Sequence, residues 1–148
     1  MKRYIGIRCI DGTRRVDVVL EGRRFRVRAL RPDRSLKLLE HSRDGFEWGY
    51  AGSGPAQLAL AILLDYMACP QIALRFHQEF KSRFIAQLPQ RRWEIQGAQI
   101  RDFVASELAK SRIRLVAEII ANCEETSSAA VQPAGGGMNI FHGFGSNR

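Results

Sequence analysis

Tyr4-Ile5-Gly6-Ile7-Arg8-Cys9-Ile10, Thr13-Arg14-Arg15-Val16-Asp17-Val18-Val19-Leu20 and Arg23-Arg24-Phe25-Arg26-Val27-Arg28-Ala29-Leu30 are three runs separated by Asp11-Gly12 and Glu21-Gly22. Period-two alternation with β-branched residues predicts strands, and Asp-Gly favours a two-residue type I′ turn. Two such turns set Ile7 opposite Val16, Ile5 opposite Val18, Val16 opposite Val27 and Val18 opposite Phe25. Ile5, Ile7, Val16, Val18, Phe25 and Val27 then share one face, and a slip of one residue would scatter them. A three-strand antiparallel meander over residues 3–30 follows.

The same register gives the opposite face three rows: Arg8, Arg15 and Arg28; Gly6, Asp17 and Arg26; Tyr4, Val19 and Arg24. Like charges placed directly opposite each other are destabilising, and no core accepts them. Arg8, Arg15, Arg24, Arg26 and Arg28 are therefore candidate contacts for a polyanion, with a solvated outer face as the plain alternative. Tyr4 is the one aromatic expected there, which argues against base stacking.

Charge extends this reading along the chain. Residues 1–43 hold 13 Lys+Arg against 5 acids, while residues 44–148 hold 10 of each sign, so the whole net charge of +8 lies in the first segment. Such asymmetry points to nucleic acid or an acidic protein surface. There are 19 Arg and 4 Lys, and the guanidinium fork grips phosphate or carboxylate bidentately. A genome-wide codon bias towards arginine would give the same ratio.

At 148 residues the chain suits one domain with a core of its own. No apolar stretch approaches the ~20 residues of a membrane helix, and the first twenty residues have no signal-peptide pattern. Cys9, Cys69 and Cys123 have neither disulfide-framework nor metal-ligand spacing. A cytoplasmic protein without cofactor or metal is expected.

Residues 31–45 form a polar connector with Pro32 and Asp33 as turn formers. Phe46, Trp48 and Tyr50 alternate with Glu47 and Gly49, which predicts a short fourth strand. Gly52-Ser53-Gly54 turns the chain, and Pro55 suits the first turn of a helix. Backbone N–H groups at such a helix start favour an anion, so Trp48, Tyr50, Gly52, Ser53 and Gly54 form a second candidate ligand site. The glycine spacing matches neither a P-loop nor a dinucleotide fingerprint. A structural turn with aromatics filling the core is the plain alternative.

The run Phe46-Glu47-Trp48-Gly49-Tyr50-Ala51-Gly52-Ser53-Gly54-Pro55-Ala56-Gln57-Leu58-Ala59 resembles the signature of a family of small uncharacterised bacterial and archaeal proteins, a domain of unknown function. Tyr4-Ile5-Gly6, Gly22-Arg23, Leu88-Pro89 and Trp93 fit the same pattern, over roughly residues 3–105. The resemblance implies no activity. It places such proteins in genomes rich in plasmids and phages, which suggests an interaction protein of a mobile element that binds a host or defence protein.

Residues 55–68 are apolar on nearly every side and predict a buried central helix. Residues 71–88 predict a second, with Ile72, Phe76, Phe80, Phe84 and Leu88 as its core stripe and His77 beside it. Residues 91–95 predict a short strand with Trp93 and Ile95 on one face, and residues 98–123 predict a third helix. Its segment 111–122 is apolar enough either to fold back on the core or to form a homodimer interface. From Glu124 the composition turns to Ser, Ala and Gly, predicting a flexible tail over 124–148 in which Met138-Asn139-Ile140-Phe141-His142-Gly143-Phe144 is a candidate docking peptide.

No nucleophile–base pairing is evident: Ser53 lacks the G-x-S-x-G context, and His41, His77 and His142 lie in different regions. The expected protein is α+β, a small antiparallel sheet covered on one face by about three helices within residues 1–123. Its expected role is that of a non-enzymatic binding module.

Overall fold

The computed structural model describes residues 1–129, with side chains described to residue 122. Lys2–Arg8 (β1) pairs antiparallel with Arg14–Leu20 (β2), which pairs with Arg26–Ala29 (β3). The fourth strand is Arg92–Gln96 (β4), antiparallel to β1 on its other side, so the sheet order is β3-β2-β1-β4. The helices are Asp33–Leu36 (α1), Ser53–Met67 (α2), Pro70–Arg83 (α3) and Gly97–Ala129 (α4), with a single 3-10 turn at Ile85–Gln87. The α+β architecture is the expected one. Residues Met1–Lys110 form one compact unit and a second begins at Ser111. Among the described residues no helix is long and apolar enough to cross a membrane.

The register differs from the sequence expectation at both hairpins. Asp11 accepts both the N–H and the hydroxyl of Thr13, at 2.9 and 2.6 Å, and Gly12 takes a left-handed φ of 84°. Cys9 N–H donates to Thr13 at 2.8 Å, closing a three-residue loop in place of a two-residue one. Ile5 therefore faces Asp17, and Tyr4 faces Val18. At the second hairpin Val18 faces Arg28 and Val19 faces Val27, so residues 21–25 form the loop. Both slips are odd, and each turns one strand over relative to β2.

The core face thus carries Tyr4 and Gly6, Val16 and Val18, Trp93 and Ile95, together with Arg8, Arg26 and Arg28 at its margins. Ile5, Ile7 and Val27 lie on the outer face with Arg15, and Phe25 is an exposed loop residue. Arg8, Arg15, Arg24, Arg26 and Arg28 accordingly do not share one face. Gly6 explains the choice of β1 face: a Cβ there would stand 2.1 Å from the Trp93 indole, so the ring fills the place of the missing side chain.

Phe46, Trp48 and Tyr50 form no strand. Gly45 and Gly49 take φ of 101° and 81°, which breaks the extended path, and Gly49 N–H donates to Ile85. Trp48 is fully buried, edge-on to Trp93 with centroids 5.5 Å apart. α2 is buried from Gly54 to Leu64, as its all-round apolarity requires. Phe76 and Phe80 of α3 and Ile100, Phe103 and Val104 of α4 complete the core cluster with it.

α4 continues to Ala129, past the point where the composition changes at Glu124. Residues 130–148, with the candidate docking peptide 138–144, lie outside the described residues. Ile113, Leu115, Val116, Ile119 and Ile120, in the unit that begins at Ser111, are exposed.

Candidate anion-binding surface

β3 is an edge strand, and all four of its residues are exposed. The five-residue loop before it lifts Arg23, Arg24 and Phe25 into solvent, and Phe25 keeps 66% of its surface exposed. After β3, Leu30 plugs the core while its N–H donates to Val16 at 2.7 Å. The chain then presents Arg31 and, on α1, Arg34. Between residues 23 and 34 stand six arginines and a single acid, Asp33. Among the described residues Arg23, Arg24, Arg26, Arg31 and Arg34 have no carboxylate within ion-pair distance.

Arg28 is the exception, and its partner orders the site. Asp65, near the end of α2, accepts from Lys2 Nζ and Tyr4 Oη, each at 2.8 Å, and from Arg28. Burial pushes the Asp65 carboxyl up, yet the bonds from Lys2, Arg28 and Tyr4 outweigh it and hold the group below its usual value. Tyr4 is pushed well above the normal phenol range by burial first and by Asp65 second. Asp65 is therefore an anchored anion with two cations on it, and its charge does not oppose an incoming anion.

Two clefts meet at the end of β3. One, of about 270 Å³, has Leu30, Ala61 and Leu64 on its floor and Arg28, Arg31 and Arg34 around it. The other, about 550 Å³, runs past Thr13, Arg14, Arg15, Arg31 and Asp44. Ala29, Leu30 and Arg31 line both, so the two clefts adjoin at the strand end.

The connector that carries α1 is held from below by Gln57. This side chain is fully buried and makes four hydrogen bonds. Its Oε1 accepts from His41 N–H at 2.8 Å and Ser42 N–H at 3.2 Å, and its Nε2 donates to Ser35 Oγ at 2.8 Å and Leu39 O at 3.3 Å. A second clamp joins His41 to α3: the two Nε2 atoms of His41 and His77 are 2.9 Å apart. His77 Nδ1 lies 2.8 Å from Leu74 O and is placed to donate to it, which leaves His77 Nε2 to accept from His41. Burial, then His77 and Lys81, hold His41 below the usual histidine value.

Of the five arginines singled out in the sequence, Arg24, Arg26 and Arg28 come together along the β3 edge. Arg15 lies on the outer face, paired with Asp17 at 2.6 Å, which raises its pKa. Arg8 lies on the core side with its guanidinium 5.9 Å from the Trp48 ring centre, opposite Arg14, which pairs with Glu47 at 2.8 Å. In the glycine motif, the indole N–H of Trp48 donates to Gln90 O at 3.1 Å. The Tyr50 ring packs on Gly52, the Glu47 side chain packs on Gly54, and the Tyr50 hydroxyl donates to Glu47. Ser53 begins α2 behind Gly52, with no side-chain cap. Neighbouring side chains thus pack on Gly52 and Gly54, while Ser53 between them stays exposed.

Among the described residues no three His, Cys, Asp or Glu side chains converge as metal ligands would. Arg31, Arg34, Asp65 and Gln57 are the site residues that sequence reasoning passed over. Gln57 and Asp65 did carry a signal, as lone polar residues inside an apolar helix.

A model of a family of unknown function, DUF6166, matches residues 4–106. No curated protein and no solved structure matches the chain.

Proposed function

Because the chain belongs to the DUF6166 family of unknown function, it inherits no activity, and we propose that it is a non-enzymatic module binding single-stranded nucleic acid along the β3 edge. The observation that carries this reading is the set of arginines with no carboxylate partner among the described residues, Arg23, Arg24, Arg26, Arg31 and Arg34, on and beside the edge strand β3. Phe25 favours nucleic acid over an acidic protein: it is exposed between Arg24 and Arg26, where a base can stack on it. A guanidinium beside an aromatic face is the combination that tracks a single strand, with phosphates on the forks and bases on the ring.

The binding is salt-dependent in a calculable way. If five arginines each neutralise one phosphate, the slope of log K against log salt is about −3.5, and affinity falls about a hundredfold between about 50 and about 200 mM salt. Anisotropy of a labelled oligonucleotide at the two salt concentrations reads this directly. Phe25→Ala should weaken binding by roughly five- to a hundredfold while leaving stability nearly unchanged, since the ring buries little. Absence of binding at low salt overturns the proposal. Binding that Phe25→Ala leaves intact overturns the stacking role of Phe25 and with it the single-strand reading, leaving phosphate contacts alone.

A further inference from the structure

We propose that the cleft between β3, α1 and α2 receives a terminal phosphomonoester with its first nucleoside, so that the edge binds the end of a strand. This inference rests on the single-strand reading above and adds a direction to it.

The cleft differs from the rest of the edge in being a half-open recess with buried apolar residues in its lining. Leu30, Ala61 and Leu64 are those residues, and they suit the flat part of one nucleoside. Its volume, about 270 Å³, lies just below the ~300–1,000 Å³ of pockets for drug-sized ligands, a size suited to one nucleotide. Arg28 forms one wall, held in place by Asp65. Arg31 and Arg34 stand at the rim, exposed and without carboxylate partners among the described residues.

The charge count favours an end over an interior. An internal phosphodiester carries one negative charge, whereas a terminal phosphomonoester carries close to two above its second pKa of about 6. Two unpaired guanidinium forks with an ordered third match a dianion with three acceptor oxygens. Of the two lining acids, Asp33 on α1 has no ion-pair partner among the described residues, and Asp65 is already compensated by Lys2 and Arg28.

The test is an anisotropy titration of one labelled oligonucleotide in three forms, with a 5′-phosphate, with a 3′-phosphate and with hydroxyls at both ends. One phosphorylated form should bind about tenfold tighter than the hydroxyl form, and the advantage should shrink as pH falls through about 6. The double variant Arg31→Gln, Arg34→Gln should erase the advantage. Arg23→Gln with Arg24→Gln should weaken all three forms equally and keep it. All four positions are exposed, and a melting curve of each variant checks the fold. Equal affinity for the three forms overturns the inference alone and leaves the edge reading standing. No binding of any form removes both.

Discussion

Replacing Gln57 by Leu keeps the volume of a fully buried side chain and deletes four hydrogen bonds at once. Two of these are short, to His41 N–H and Ser35 Oγ at 2.8 Å, and two are long, at 3.2 and 3.3 Å. A hydrogen bond lost with its partner left in place costs ~1–3 kcal/mol where the partner is buried and less where water can reach it. Ser35 is buried, but its hydroxyl still donates to Pro32 O, so it loses an incoming bond only. The groups at His41, Ser42 and Leu39 belong to a connector that is half-buried or exposed, and water recovers part of their bonding. The four losses then sum to about 3 kcal/mol. The greater apolarity of Leu returns about 1 kcal/mol, leaving a net cost of about 2 kcal/mol. Urea unfolding should show the midpoint lowered by about 1 M with an unchanged slope. Amide exchange over residues 35–42 should quicken more than exchange in β1 or β2, because the connector opens before the core does. A midpoint within about 0.3 M of the parent protein would refute the reasoning, since it would mean that the connector is held by something other than this amide.

Two further consequences concern the fold and its pH range. Gly6→Ala sets a methyl 2.1 Å from the Trp93 indole, so the ring or the β1–β4 pairing must move. A cost of about 3 kcal/mol in chemical denaturation is expected, and Trp93→Phe in the same background should recover part of it. His41 is held below its unfolded pKa of about 6.5, by burial first and then by His77 and Lys81. The native state therefore binds fewer protons than the unfolded chain, so this contribution is complete above about pH 6.5 and is lost as pH falls from there to the depressed folded value. The melting temperature should decline across that window in the parent and stay flat in His41→Asn. A decline of equal size in both would exclude the histidine clamp as its cause.

The parts of the fold that rest on hydrophobic period were legible. The all-apolar run of α2 predicted its burial, and the phenylalanine stripe predicted that of Phe76 and Phe80 on α3; the helix expected over 71–88 ends at Arg83, so Phe84 and Leu88 fall beyond it and are half-buried. Register was not legible, because it depends on which turn forms. The Asp11 side chain captures Thr13 and lengthens the first loop by one residue, a local bond that alternation does not report. The apparent agreement of two turns misled because β1 and β3 carry aliphatic residues on the outer face: Ile5, Ile7 and Val27 mimic a core stripe. Trp48 and Tyr50 alternate as strand residues do, yet Gly45 and Gly49 adopt the left-handed backbone and bend the segment. Of the candidate site, the arginine content was visible and its geometry was not. Whether Arg28 or Arg15 meets an open edge or a paired acid depends on contacts such as that to Asp65, 37 residues away.

An unpaired strand edge is also a template for another strand, whatever the protein binds. β3 offers one row of backbone N–H and C=O groups to any extended chain, and charged side chains are a standard means of keeping such edges apart. Arg26 and Arg28 repel a second copy approaching edge to edge, so neutralising both should raise self-association even with no ligand present. Selection for solubility alone would then preserve these arginines. Phe25 has no part in that defence, and its exposure is the feature that solubility would have removed.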